Sequence, residues 1–164
     1  MQIVQEIKTT ISRGRVKYNI RHIYAKNSEP EPYHIFVYPS DLDGINKKGL
    51  ANIAIHKYGA NYHQAEGPSK GPTGRAYAIP VTDSGEQMTA YHINVYVKKF
   101  MEFSQRNFIN RRMEFFICDF KDHVDKDIFE NIAYKFKHCY GCYFPETFTP
   151  YLLKEDLAEI ALCP

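Results

Sequence analysis

Apolar and polar positions in this chain switch between a period of two and a period near four, and the switches mark out its elements. Val16, Tyr18, Ile20, His22 and Tyr24 fall on alternate positions, the pattern of a half-exposed strand. Residues 2–11, carrying Ile3, Ile7 and Ile11, alternate less regularly, and the two extended segments join near Ser12-Arg13-Gly14. Ile35 to Tyr38 is a short apolar run of β-formers, which suits a strand buried on both faces. Ala76–Pro80, Met113–Cys118 and Cys142–Phe144 read as further short strands. A period near four returns in Gly49–Tyr58, with Leu50, Ile53 and Ala54 on one face and Gly59 as the stop. It returns again around Tyr91–Ser104, where Ile93, Val97, Phe100 and Met101 form an apolar stripe. Ile128, Ile132 and Phe136 mark a third helix, with Asp125 or Asp127 as N-cap and Gly141 as its stop. Leu152–Leu162 has helical spacing with Leu153, Leu157, Ile160 and Ala161 inward.

Lys26–Pro32 reads as a connector, Val81–Gln87 as a segment turning away from its strand, and Asn61–Arg75 as a long loop of the functional or mobile kind. Strands alternating with helices predict α/β layering over one domain, residues 1–164, with the N-terminal segments as antiparallel edges.

Composition sharpens this only in places. An apolar content of 44% argues against disorder. No run approaches the ~18 apolar residues of a membrane span, and no leader pattern opens the chain, so no membrane partner and a cytoplasmic location are expected. The net charge of +2 makes no case for nucleic acid, and basic residues gather only at Arg13-Gly14-Arg15-Val16-Lys17 and Arg111-Arg112. The 13 tyrosines serve either a core rim or a contact surface. Cys139-Tyr140-Gly141-Cys142 has the spacing of a redox pair, but it follows a helix and precedes a strand, so the four cysteines read as reduced, structural thiols.

Chemistry concentrates between Phe36 and Asp83. A strand ending in a tight polar loop that leads to a helix leaves free backbone N–H groups at the carboxyl edge of a sheet, where open α/β folds hold phosphate-bearing ligands. Phe36, Val37, Ser40, Leu42 and Gly44, then Lys48-Gly49, Tyr58-Gly59-Ala60, Glu66-Gly67 and Tyr77-Ala78-Ile79-Pro80, follow in an order that resembles macro-domain-like proteins of bacteriophages and bacteria. The resemblance implies a three-layer α/β/α fold with a mixed, mostly parallel central sheet. It also implies binding of a nucleotide-derived small molecule of the ADP-ribose type by Ser40, Asp41, Leu42, Gly44, Lys48, Gly49, Glu66 and Gly67. No residue is singled out as catalytic, as a metal ligand or as a cofactor anchor.

This chain also departs from the family pattern. Pro39-Ser40-Asp41 stands where the family has Gly-Ser-Asn, and the loop Asp119–Asp127 has four aspartates and no glycine where a phosphate-cradling loop is usual. Those departures, with the tyrosines, motivate an alternative: a phage protein that grips a bacterial host defence protein and uses the fold as an interaction scaffold. His63 with Glu66 could form an acid–base pair, though a solvated loop pair is the simpler reading.

Overall fold

A computed structural model describes residues 1–45, 49–61, 63–71 and 74–152. Its strands are β1 (Ile3–Arg13), β2 (Val16–Tyr24), β3 (Ile35–Asp41), β4 (Gly67–Pro68), β5 (Ala76–Asp83), β6 (Glu86–Gln87), β7 (Phe115–Ile117) and β8 (Cys142–Pro145). Its α-helices are α1 (Gly49–Lys57), α2 (Ala90–Arg111) and α3 (Lys126–Phe136). They build one sheet in the order β1-β2-β8-β7-β3-β5-β4, with β6 paired to β5. The five strands from β2 to β5 in that order are mutually parallel, and the antiparallel pairs lie at the edges.

Alternation assigns each strand side chain to one of two faces. Tyr77, Phe115 and Phe144 point to the face covered by α2 and α3, where Phe100 packs on Tyr77 and Phe115 and Phe136 packs on Phe144. Tyr24, Phe36 and Phe116 point to the opposite face, where Tyr58, just past α1, stacks on Phe36. Helices therefore flank both faces of a mixed, mostly parallel sheet. No described helix is long and apolar enough to cross a membrane.

The apolar stripe of α2 lies as its spacing predicts, with Ile93, Val97 and Phe100 fully buried. The helix begins at Thr89, whose hydroxyl accepts the His92 N–H, and runs past Ser104 because Ser104 and Asn107 continue its buried face. Gly59, at φ +69°, ends α1 as expected: the Ala60 N–H reaches back to the Ala54 carbonyl, closing the last turn. Two segments differ from expectation. Val81–Gln87 does not turn away: β5 runs on to Asp83 and returns as β6 through Ser84-Gly85, both at positive φ, the backbone of a tight hairpin. α3 ends at Phe136, well before Gly141. The helix expected over Leu152–Leu162 lies outside the described residues after Leu152, as do Lys48 and Cys163.

Pro39 is unusual inside a parallel sheet, since it cannot donate to a ladder. The Ile35 N–H bonds to Glu114, next to β7, and the Phe36 N–H bonds to Arg75, next to β5. Alternation then aims the missing donor of Pro39 towards β7, which has already ended at Ile117. A short β7 and a proline in β3 stop these two neighbours from pairing further, and the sheet parts between their carboxyl ends.

Candidate functional site

From β3 the chain crosses by α1 to β5, and from β7 it crosses by α3 to β8 on the other side. The β3/β7 boundary is thus the point where the winding direction reverses, and its carboxyl end is where open α/β sheets leave a crevice. Two hollows flank it. One, of about 450 Å³, lies between the β3 loop (Ser40, Asp41, Asp43) and His123. The other, of about 630 Å³, lies on the α1 face and is the larger.

Of the residues expected from sequence, Ser40 and Asp41 line the first hollow, but their polar groups are turned to their own chain. The Asp41 carboxylate accepts from the backbone N–H of Asp43 at 3.0 Å, Ser84 at 2.8 Å and Gly85 at 2.8 Å, and from the Thr82 hydroxyl at 2.7 Å. Partial burial pushes the Asp41 carboxyl up, yet these four bonds outweigh it and hold the group well below the usual carboxylate range. Each oxygen already accepts two hydrogen bonds, so the carboxylate ties the loop to the β5–β6 hairpin. The Ser40 hydroxyl donates to the Ala65 carbonyl at 2.6 Å, and the Leu42 N–H donates to the Thr82 carbonyl at 2.8 Å. Gly44, at φ +77°, lies so close to His63 that a side chain would run into the His63 carbonyl. Gly49, at φ +63°, opens α1 near the His123 ring.

Glu66 and Gly67 do not join this group. Gly67 pairs with Ala78 along β5, and Glu66 reaches Lys99 of α2 at 3.6 Å, beside a separate hollow lined by Tyr77 and Tyr96. Asp119, the first residue of the acidic loop, accepts the Lys121 N–H and the Thr147 hydroxyl, both at 3.0 Å, so it too fastens a loop.

The larger hollow gathers residues that sequence reasoning did not group. After β2 the chain must descend the α1 face to restart at the amino end of β3, and residues 26–30 of that descent form one wall. Leu50, Ile53, Lys57 and Tyr58 of α1 and its end form the other. The floor is aromatic: Tyr24 stacks on Phe116 at 4.3 Å and Phe36 on Tyr58 at 4.2 Å. The Tyr24 hydroxyl donates to the Ile117 carbonyl at 2.5 Å, which holds its largely buried ring in place. The rim carries Lys26, Lys57 and Lys121 against Glu29, Asp119, Asp122 and Glu146, a near balance of charge. Cys118 lines the cleft, and burial pushes its thiol well up, so it supplies no thiolate at neutral pH. Phe36 is legible as a strand residue, but nothing in the connector signals a wall.

The other thiols among the described residues, Cys139 and Cys142, are free and fully buried. Compared with protein-family models, with curated proteins and with solved structures, the chain matches none, so its own residues carry the functional argument.

Proposed function

We propose that this chain binds a nucleotide-derived ligand of the ADP-ribose type, held chiefly by its nucleoside part, in the cleft between α1 and residues 26–30. The observation that carries the reading is the aromatic floor, Tyr24 on Phe116 and Phe36 on Tyr58, in an open hollow of about 630 Å³ beside the reversal of winding. Small-molecule sites are commonly hollows of roughly 300–1,000 Å³, mostly apolar with a few polar groups. Flat rings suit a nucleobase, and rim carboxylates accept ribose hydroxyls. Lys26, Lys57 and Lys121 are the groups available to phosphate. The reading names binding and assigns no reaction.

Calorimetry with adenosine and with ADP-ribose tests it. Ile53 is 40% exposed at the cleft wall, and Ile53→Glu keeps a good helix former there while adding a negative charge. Wild type should release heat with both compounds, and Ile53→Glu should weaken ADP-ribose several-fold more than adenosine. No heat with either compound from folded protein overturns the reading. That outcome favours the second one, a phage protein that binds a bacterial host protein. Tyr91, 77% exposed, and Val95, 42% exposed, support it as an apolar pair one turn apart on the outer face of α2.

A further inference from the structure

Two basic clusters of the sequence, around Arg15 and Arg112, meet in one groove. It lies at the amino ends of the parallel strands, the end of the sheet opposite the nucleoside cleft, and holds about 410 Å³. Arg15 and Lys17 enter it from the start of β2, and Arg112 from the end of α2. Arg112 is fixed in a left-handed conformation, φ +56°, by its N–H bonding back to Asn107 and Phe108. All three cations are exposed, and among the described residues none is in an ion pair. Beside them stands Tyr18, 43% exposed, with the Lys8 ammonium 3.7 Å from its ring centre.

We propose that this groove binds single-stranded nucleic acid, with Arg15, Lys17 and Arg112 on phosphates and Tyr18 as a stacking platform for a base. The walls between the cations are apolar and aromatic, from Ile20, Phe108 and Tyr143, which suits bases more than the side chains of an acidic peptide. A duplex keeps its bases stacked on each other and offers none to Tyr18, so the occupant is a single strand. The one carboxylate in the lining, Glu114, is engaged by the Tyr143 hydroxyl at 3.0 Å and by His34 Nε2 at 3.4 Å. That leaves three cations facing one hydrogen-bonded anion, a field that attracts a polyanion. The small net charge of the whole chain hides this local excess of cations, which holds even though Glu6 reaches the His22 ring of the lining at 3.3 Å.

Fluorescence anisotropy of labelled single-stranded RNA and DNA decamers of mixed sequence, titrated with the full chain at several salt concentrations, tests the proposal. Affinity should fall with salt on a log–log slope of about −2, since each of three phosphates contributes about −0.7. Removing two cations by Arg15→Gln with Arg112→Asn should flatten that slope; asparagine tolerates the left-handed backbone at 112. Tyr18→Ala should weaken binding on the order of tenfold, while Tyr18→Phe retains it. Thermal melts of the cation variants should match wild type, because those side chains are exposed, and melts of Tyr18→Ala and Tyr18→Phe establish that each is folded at the assay temperature. Absence of binding at low salt overturns the proposal, as does binding that the cation variants leave unchanged. A polyglutamate peptide that competes fully, together with indifference to Tyr18→Ala, assigns the groove to acidic protein instead.

Discussion

Asp41 offers the sharpest test of how the crevice is built. Replacing it by Asn keeps size and shape but removes the charge and turns one oxygen into an NH₂ group. The amide oxygen can still accept two of the four donors. The NH₂ group can donate to the Thr82 hydroxyl, which can rotate, but it faces the Gly85 N–H with no acceptor. Hydrogen bonds to charged groups contribute about 1.5–3 kcal/mol each, and water competes at this partly exposed site, so the low end applies. Asp41→Asn should therefore cost about 2 kcal/mol and Asp41→Ala about 3 kcal/mol, a sizeable share of the ~5–15 kcal/mol that holds a small domain folded. The sign with pH follows from the depressed carboxyl. Its contribution is complete above the unfolded value of 3.8 and is lost as pH falls from there towards the folded value. Urea melts of wild type and Asp41→Asn at pH 7 and pH 3 should show a full deficit at pH 7 that narrows at pH 3. Equal midpoints at pH 7, or a deficit that does not narrow in acid, would refute the clamp.

Phe100 is fully buried among Tyr77, Phe115 and Phe136, so Phe100→Ala should cost about 3–5 kcal/mol, while exposed Asp122→Ala stays within about ±0.5 kcal/mol; denaturant midpoints compare them directly. Acid should also weaken the fold through His22, which stacks on Tyr143 and faces Glu6, Glu114 and His34. Burial lowers its pKa below 6.5 against the pull of the two carboxylates, so the unfolded chain takes up the proton first and stability falls as pH drops below 6.5. Glu114, held down by its bond from His34, adds a second loss as pH falls below 4.5. His22→Gln should flatten the stability profile between pH 7 and 5.5 and leave the lower step; an unchanged upper slope would remove His22 from the account.

What the sequence disclosed was whatever periodicity or local chemistry encodes. The stripe Ile93–Val97–Phe100, the buried run Ile35–Tyr38 and the stop at Gly59 are local facts, and they stand in the fold as read. The hairpin at Ser84-Gly85 was missed because its flanking strand ends are polar and exposed, although Ser-Gly is itself a turn signal. The candidate cleft was hidden for a different reason. Its wall at residues 26–30 has no pattern, and its floor joins Tyr24, Phe36 and Phe116 from three strands that only the sheet order makes neighbours. The same holds for the convergence of Arg15 with Arg112.

Asp41 and Asp119 have a common structural role, and it bears on why a crevice stands open at all. The loops after β3 and β7 border the reversal of winding, and each could collapse onto the other. Asp41 binds its loop outward, to the hairpin beyond β5, through Thr82, Ser84 and Gly85. Asp119 binds its loop outward in the opposite sense, to Thr147 beyond β8. Pro39 stops β3 from pairing past the end of β7, so the gap cannot close by lengthening the sheet. The gap is thus set by contacts the chain makes with itself. On the proposed reading, a ligand in the neighbouring cleft would meet the Asp119 edge already held in position by Thr147, which lowers the ordering cost of binding.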